Sequence, residues 1–551
     1  MVLWSLSILG VIETVLAHGF MFYEPDSVLR AIHMVYQVIL VLYVLWVVVR
    51  IIESGWNLRT LLPDILLAVV ILSMMFSVRL SGSIVSIRMV FSILMVFFRT
   101  TGISSFLAQI RLNPARLLLL SFLVVIAVGM VLLMVPAATA DHRGARFVDA
   151  LFTATSATCV TGLIVKDTGT YFSGFGQVVI LILIQVGGLG IMTLSTLFAI
   201  ILGRRLRLRE EERMRDILDQ SSSVEMYALI VRIFSITLFF ELIGALLLYV
   251  KWISPMGSDV ALKSAVFHSV SAFCNAGFSL YSQSLTAYAG DWYVSGVVIF
   301  LVIFGGLGFV VINDVIRNVH HLNPFTVRWS RLTVHSRIVI MTTAFLIVTG
   351  TLTVFFFEFD NAMLGLSTID KLITALFQSV TFRTAGFNTI DTAALRDVTL
   401  FIGIILMFIG ASPASTGGGI KTTTFAVLLL SVRCLLRSRG EVELFGRTVP
   451  HQTVFKSIAI LLFSLTFLVV FTVLLLATQG GAFLDVLFEA VSAIGTVGLS
   501  TGVTGTLDGV GKVIVTILMY VGRVGPLTVA MALGEVRKVN MDYPTTRITV
   551  G

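Results

Sequence analysis

The sequence has few charged residues and very few cysteines. Only 12% of its 551 residues are Asp, Glu, Lys or Arg, whereas 57% are hydrophobic and the mean hydropathy is +1.01. A soluble core cannot bury that proportion of apolar side chains, which excludes an ordinary soluble fold and indicates an all-α integral membrane protein. The three cysteines have no metal-ligand spacing, which excludes a zinc site and a disulfide framework.

Apolar segments recur along the whole chain. Several approach or reach the roughly 20 residues needed to cross a bilayer, among them 117–134, 178–202, 338–356 and 458–476. We predict eight strong spans from residue 116 onward. Residues 1–110 are interpreted as an extra N-terminal transmembrane segment, with four spans favoured over two and with no readable role.

The net charge of +8 comes from basic clusters between the spans, at 204–215, 317–337 and 433–456. Because these clusters lie at alternate connections, the positive-inside bias places them in the cytoplasm. This predicts a multi-pass protein of the cytoplasmic membrane that contacts lipid and does not bind nucleic acid. The basic connections are either solvated loops or a docking platform for a partner.

One pattern occurs four times after residue 115, with a period of about 110 residues. Each copy has a Phe, then small and hydroxyl side chains, then Gly followed by Leu or Phe. The spacing from Phe to Gly is ten in three copies and nine in the third. The glycines are Gly162, Gly277, Gly386 and Gly498. Each copy is too short and polar to span, so we predict a half-crossing pore helix with a re-entrant loop.

Four such loops imply a shared axis. Unpaired backbone groups in hydrocarbon cost several kcal/mol each, so a loop survives there only when protein encloses it or when it lines a wet cavity. Carbonyl oxygens around an axis can replace the hydration shell of a cation. Glycine suits a loop whose carbonyls all point inward. A single glycine is more typical of helix packing, but four in register favour a filter.

The predicted architecture is therefore four concatenated helix–pore-loop–helix repeats around one pore, preceded by the extra N-terminal helices. The predicted boundaries are 111–216, 217–330, 331–450 and 451–551.

The loop sequences closely resemble those of the Trk/Ktr/HKT potassium transporter superfamily, specifically its Ktr-type ion-translocating membrane subunit. The matching loops are Cys-Val-Thr-Gly-Leu at 159–163, Cys-Asn-Ala-Gly-Phe-Ser at 274–279, Phe-Arg-Thr-Ala-Gly-Phe-Asn-Thr at 382–389 and Gly-Thr-Val-Gly-Leu-Ser at 495–500. Two further matching stretches are 410–424, which contains Gly-Gly-Gly-Ile-Lys, and Gly-Arg-Val-Gly-Pro-Leu-Thr at 522–528. The resemblance covers residues 116–551.

This resemblance implies potassium uptake by a homodimer with one pore per subunit and a cytosolic RCK-type ring that binds nucleotides. Glycine at 162, where some relatives that favour sodium have serine, implies potassium as the transported ion. Sodium coupling stays open, and no covalently bound cofactor is expected. The residues implied to form the filter are Val160, Thr161, Gly162, Asn275, Ala276, Gly277, Thr384, Ala385, Gly386, Thr496, Val497 and Gly498, with K⁺ at the four glycines.

The third inner span contains Pro413 and three consecutive glycines, which break a helix. The resemblance implies an intramembrane gating loop at 410–424. The residues assigned to the gate are Ser412, Thr416, Gly417, Gly418, Gly419, Lys421 and Arg523. A phosphate-binding loop is not indicated, because no strand precedes the run and the Gly-Lys-Ser/Thr order is absent.

Arg523 lies within the apolar segment 513–532, in the middle of a predicted span. A cation there costs at least ~2.5 kcal/mol, so it is expected to be functional or paired with carbonyls; the alternative is snorkelling to an interface. Our hypothesis is that it enters the cavity below the filter, contacts carbonyls of 410–424 and repels cations.

The remaining polar residues near the loops carry weaker signals. Arg383 is expected to brace its loop, and His268 is expected to be a hydrogen-bonded packing residue. Asn275 and Asn388 are expected to bond the backbone around the filter.

Two other function classes fit the sequence less well. A secondary transporter with alternating access predicts inverted repeats, whereas an even number of crossings separates these loops and gives them one orientation. An intramembrane enzyme would need paired carboxylates, a metal site or a Ser/His arrangement within the spans. The sequence contains no such set, so we predict that the protein is not an enzyme.

Overall fold

The structure, a computed structural model, describes residues 114–201, 223–320, 323–327, 329–438 and 440–533. The predicted N-terminal segment 1–110 and the basic cluster 204–215 therefore lie outside the described residues. The described chain is helical apart from connections and two short antiparallel hairpins, which confirms the all-α class.

The first repeat contains helices α1 (Pro114–Met134), α2 (Phe147–Thr158) and α3 (Gly174–Ile201). Helix α1 begins at a proline, which has the right φ for a first helical turn and no N–H to leave unpaired. Helix α2 is only 12 residues long, as expected for a half-crossing helix.

The second repeat contains α4 (Ser223–Met256), α5 (Ser258–Phe273), α6 (Trp292–Leu307) and α7 (Phe309–Asn318). The inner helix is bent by 99° between α6 and α7. The bend is at Gly308, whose φ of 91° is accessible mainly to glycine. A hairpin of β1 (Val319–His320) and β2 (Asn323–Val327) follows.

The third repeat contains α8 (Val334–Glu358), α9 (Thr368–Thr381), α10 (Asp397–Phe408) and α11 (Thr422–Leu436). The predicted interruption of the inner helix is confirmed, because non-helical backbone separates α10 from α11. A hairpin of β3 (Glu443–Leu444) and β4 (Arg447–Thr448) leads to the next repeat.

The fourth repeat contains α12 (His451–Gln479), α13 (Phe483–Gly495), the single turn α14 (Val503–Thr506), α15 (Gly509–Val524) and α16 (Pro526–Leu533). Its inner helix is bent by 92° between α15 and α16.

The inner helices of the second and fourth repeats are bent, where we expected uninterrupted spans. Among the described residues, four helices are long and apolar enough to cross a membrane, or up to six when each bent pair is one span, against the eight expected. The predicted span 513–532 is wrong because α15 ends at Val524: Gly525 has a φ of 95° and Pro526 has no N–H to continue the helix. Arg523 therefore lies in the last turn of α15 and not in the middle of a span.

The outer helices α1, α4, α8 and α12 present large apolar side chains on the protein's outer surface. Examples, one from each helix, are Leu123, Phe239, Phe345 and Val469, all of them exposed. A continuous apolar exterior on long helices is what a bilayer requires. The chain is thus a multi-pass membrane protein.

The repeats close into a ring through their inner helices. Each inner helix packs against the pore helix of the next repeat: α3 against α5, α6 against α9, α10 against α13, and α15 against α2. The last of these contacts joins the fourth repeat to the first. It is reinforced by the ion pair between Lys512 Nζ and Asp149 Oδ1, which are 2.6 Å apart.

Glu358 ties the outer end of α8 to the start of α10. Its buried carboxyl accepts hydrogen bonds from Arg396 N at 3.0 Å, Thr399 Oγ1 at 2.5 Å and Asn361 Nδ2 at 2.7 Å. Arg396 N and Thr399 Oγ1 would lose their acceptor if the carboxyl were removed, whereas Asn361 Nδ2 would keep its bond to Ala394 O at 2.8 Å. A buried donor without a partner costs about 1–3 kcal/mol.

We therefore expect Glu358→Ala to lower the free energy of unfolding by about 3 kcal/mol or more. Glu358→Gln should cost less, because one acceptor oxygen remains. Thermal unfolding of the purified protein in detergent measures the effect. The control is the exposed neighbour Asp360, whose replacement by Ala should change stability by less than about 0.5 kcal/mol. Equal melting temperatures for Glu358→Ala and Asp360→Ala would contradict the assigned role.

Candidate functional site

The four predicted loops share one unusual backbone conformation. In each loop the glycine has a positive φ: Gly162 92°, Gly277 69°, Gly386 76° and Gly498 95°. The residue two positions earlier also has a positive φ, although it is not glycine: Val160 57°, Asn275 59°, Thr384 69° and Thr496 50°. Alternation of left-handed and ordinary residues turns successive carbonyls toward the same side of the chain.

The four glycines contact one another in a closed ring. A Cβ added to any of them would lie 2.8–3.3 Å from the Cα of the glycine in the next repeat. The same Cβ would also collide with the carbonyl oxygen before that glycine, and these oxygens belong to Ala276, Ala385, Val497 and Thr161 in ring order. Glycine is therefore required here for both its φ and its lack of a side chain.

The end of each pore helix is closed by a backbone hydrogen bond. In three repeats the residue before the glycine donates to the carbonyl five positions earlier, for example Thr161 N to Ser156 O at 2.8 Å. In the third repeat Ala385 N donates to Thr381 O, only four positions earlier, at 3.1 Å. The one-residue difference in the third Phe-to-Gly spacing is thus absorbed at the helix end.

A hydroxyl group in each pore helix bonds the backbone of its loop. Ser156, Ser271 and Thr381 donate to the carbonyl of the residue after the glycine at 2.7, 2.7 and 2.8 Å. Ser492 accepts from Gly498 N at 3.1 Å. The hydroxyl-rich pore helices are visible in the sequence, but these four residues were not predicted to contact the loops. Their recurrence five or six positions before each glycine was the available signal.

The other expectations near the loops have mixed outcomes. Asn275 Nδ2 donates to Thr384 Oγ1 at 3.4 Å, and with the amide reversed it donates to the carbonyls of Val302 and Ala272. Asn388 Oδ1 is buried without a partner among the described residues, so the expected bond from this side chain to the backbone is not made. Arg383 Nη2 donates to Gly410 O at 3.3 Å, which is a bracing contact.

The interrupted segment 410–421 lies against the inner ends of the third and fourth loops. A Cβ at Gly417 would collide with the side chain of Thr384, and one at Gly418 would lie 3.1 Å from Thr496 Cγ2. Gly419, with a φ of 70°, packs against the backbone of Gly410. The three glycines thus allow the segment to reach the loops without side-chain clashes.

Hydrogen bonds fix this segment in place. Thr416 N donates to Gly305 O at 3.2 Å, and Thr416 Oγ1 donates to Phe273 O at 3.2 Å. Thr422 Oγ1 donates to Ser412 Oγ at 3.0 Å, and Lys421 Nζ donates to Gly417 O at 2.8 Å. The segment is therefore bound both to the second repeat and to itself.

Arg523 connects three repeats. Its side chain is only 2% exposed, which excludes snorkelling to the interface. The guanidinium donates to Thr416 O, as the sequence predicted, and also to Gly187 O at 2.5 Å and Gly188 O at 3.4 Å in α3. The α3 contacts were not predicted. In the described part of the chain Arg523 has no carboxylate partner, so carbonyls alone offset its buried charge.

Two further observations bear on the chemistry of this region. Within the described residues no group of three or more His, Cys, Asp or Glu side chains could hold a metal ion. The oxygens that lie against the ring glycines are backbone carbonyls, a type of group that can replace the water shell of a cation.

Comparisons with known proteins agree with this geometry. The TrkH family, described as cation transport protein, matches residues 120–535. The Ktr system potassium uptake protein B of Bacillus subtilis is 40% identical over 80% of this chain and 98% of its own length. The protein of that name from Vibrio alginolyticus is 41% identical over 79% of this chain and 94% of its own length. The potassium/sodium uptake protein NtpJ of Enterococcus hirae is 34% identical over 80% of this chain and 98% of its own length.

A solved structure supports the fold. The potassium transporter TrkH from Vibrio parahaemolyticus superposes with a TM-score of 0.61 at 20% sequence identity, covering 76% of this chain and 83% of that chain. The relatives are transport proteins, which agrees with the prediction that the chain is not an enzyme. The chain belongs to the TrkH/Ktr family of cation transport proteins.

Proposed function

We propose that this protein takes up potassium across the cytoplasmic membrane through a selectivity filter made of the four loops. The observation that carries the proposal is the closed ring of glycines, each with a positive φ and each against a carbonyl of the next repeat. The proposed filter consists of residues 160–162, 275–277, 384–386 and 496–498, with K⁺ held at the glycines.

Potassium is favoured over sodium for two reasons. A ring of carbonyl oxygens that replaces the hydration shell suits potassium, the more weakly hydrated ion. The relatives from Bacillus subtilis and Vibrio alginolyticus are named for potassium uptake. Because the Enterococcus hirae relative is named for both potassium and sodium, sodium is the second ion to test. An inside-negative potential supplies about 2.3 kcal/mol per charge per 100 mV, which is sufficient to drive uptake through a passive pathway.

We propose that the segment 410–424 and Arg523 form the gate. The segment lies against Thr384 and Thr496 at the inner ends of two loops, where it obstructs an ion. The Arg523 guanidinium holds the segment through Thr416 O and adds a positive charge that repels cations. Ser412 and Lys421 hold the segment's own conformation. Opening then requires the Arg523 contact to break.

We also propose the assembly that the family resemblance implies. The units 111–216, 217–330, 331–450 and 451–551 would each contribute one loop, and two copies of the chain would form a homodimer with a pore in each. A cytosolic RCK-type ring that binds nucleotides would bind the basic connections and act on the gate. The relatives' description as parts of a Ktr system supports a partner subunit.

Replacing Gly162 with Ser tests the filter. The added Cβ would collide with Ala276 O, and a non-glycine residue at a φ of 92° is strained by about 1–2 kcal/mol. Relief of the collision moves Ala276 O out of the ring, so we expect the preference for potassium over sodium to fall by about tenfold, equivalent to about 1.4 kcal/mol of discrimination. Rubidium and sodium uptake into proteoliposomes measures both ions.

The matched control for this variant is Gly365→Ser. Gly365 has a similar φ of 87° but no atom within 4 Å of an added Cβ. It carries the same strain without the contact to a neighbouring loop, so the ion preference should not change. Retention of the wild-type preference by Gly162→Ser would rule out the proposed filter.

Replacing Arg523 with Gln tests the gate. The shorter neutral side chain cannot reach Thr416 O and Gly187 O together, and a hydrogen bond from a charged donor is worth about 1.5–3 kcal/mol. We expect basal potassium flux to rise by about tenfold in proteoliposomes that lack any regulatory subunit. Arg523→Lys, which keeps the charge but not the planar fork, should give an intermediate flux.

The control is Arg433→Gln, which removes one positive charge from an exposed position at the end of α11. Its basal flux should match the wild type. Equal fluxes for Arg523→Gln and Arg433→Gln would exclude Arg523 from the gate.

A further inference from the structure

In each pore helix the residue that directly follows the phenylalanine in sequence is polar. Its side chain lies behind the pore loop. These residues are Thr153, His268, Gln378 and Glu489, and all four are buried. The cost of burying a polar group in a membrane is offset only by a good partner. The partners of these four residues therefore indicate what the position does.

Two of the four make the same contact. His268 Nδ1 donates to Ser264 O at 2.7 Å, so Nε2 of the neutral ring accepts from Ser279 Oγ at 2.9 Å. Glu489 Oε2 accepts from Ser500 Oγ, also at 2.9 Å. Both serines lie two positions after the loop glycine and eleven positions after the acceptor residue.

The other two repeats lack this contact. In the first, the residue two positions after the glycine is Ile164, which has no donor. In the third, Gln378 and Asn388 are only ten positions apart, because that repeat is one residue shorter. Both polar atoms of Gln378 and Oδ1 of Asn388 have no partner among the described residues. The contact thus occurs in the second and fourth repeats, which face each other across the ring.

Of His268 and Glu489, Glu489 is the more costly residue to bury. Its side chain is fully buried in α13, and Oε1 has no partner within the described residues. Among the residues that the structure describes, Ser500 is thus the only one that donates a side-chain hydrogen bond to this carboxyl. Ser500 adjoins Leu499 and Gly498, whose carbonyls continue the loop. A shift of Ser500 therefore moves the oxygens of the fourth loop.

We propose that Glu489 and His268 are positioning residues that hold the outer ends of two opposite loops through Ser500 and Ser279. By fixing those ends, they set how strictly the ring of carbonyls discriminates between cations of different size. This inference rests on the proposed filter. It adds the residues that keep the spacing of the filter's carbonyl oxygens constant.

The test is ion preference in proteoliposomes, measured as rubidium against sodium uptake. Glu489→Leu and Ser500→Ala should each lower the preference by about tenfold, the effect of losing one hydrogen bond to a carboxyl group. Glu489→Gln keeps an acceptor oxygen and should stay within about twofold of the wild type. Ser500→Ala also removes the acceptor of Gly502 N, which lies 3.0 Å from Ser500 Oγ. The double variant Glu489→Leu/Ser500→Ala should therefore be no worse than Ser500→Ala alone, because both changes remove the same Glu489–Ser500 contact.

Thr153→Val is the matched control, since Thr153 occupies the same helix position and its Oγ1 has no partner among the described residues. Its ion preference should equal that of the wild type. Because Ser500 is half-buried, Ser500→Ala keeps the test decisive even when Glu489→Leu does not fold.

The outcomes separate the two proposals. Wild-type preference in Ser500→Ala, with a reduced preference in Gly162→Ser, overturns this inference and leaves the proposed filter standing. An unchanged preference in Gly162→Ser overturns the filter and this inference with it. A loss in Thr153→Val as large as that in Ser500→Ala also overturns the inference, because the effect is then not specific to the serine contact.

Discussion

The structure depends on one backbone contact that is repeated four times. Each loop glycine lies against the carbonyl of the residue before the next loop's glycine, with no space for a Cβ. This contact holds four re-entrant segments together in the membrane interior, where unpaired backbone is costly. The neighbouring elements support it: the inner helices pack against the next pore helix, and pore-helix hydroxyls bond the loop carbonyls. The ring is thus part of the protein's core as well as its candidate functional site.

The ring is built from unequal repeats. The third loop closes its pore helix with a shorter hydrogen-bonded turn. Among the described residues, only the second and fourth loops have a serine bonded to a pore-helix side chain behind them. Arg523 in the fourth inner helix has no counterpart in the other three inner helices. It donates hydrogen bonds to Thr416 O in the third repeat and to Gly187 O in the first. A movement of the interrupted segment must therefore disturb contacts between three repeats. Concatenation in one chain permits this division of roles, because each copy can carry different side chains.

Regular patterns in the sequence account for most of the architecture. The fourfold repeat, the half-crossing helices, the glycine at each loop and the break after α10 are local features that spacing and residue type express directly. The contact between Arg523 and the interrupted segment was also predictable, because a buried cation in a membrane needs carbonyl partners. The bends at Gly308 and Gly525 were missed, since a glycine within an apolar run does not reveal whether it packs a straight helix or ends one.

Residue types and their spacing specify the elements of each repeat, because hydrophobic length, glycine and proline act over a few residues. Which groups contact one another depends instead on how the four repeats pack together. Gly187 and Arg523 are 336 positions apart, and nothing local marks Gly187 as an acceptor. Glu489 contacts Ser500, eleven positions later, whereas Gln378 does not contact Asn388, which is only ten positions later. The third repeat is shorter by that one residue. That difference has an effect only once the loops are closed around a common axis.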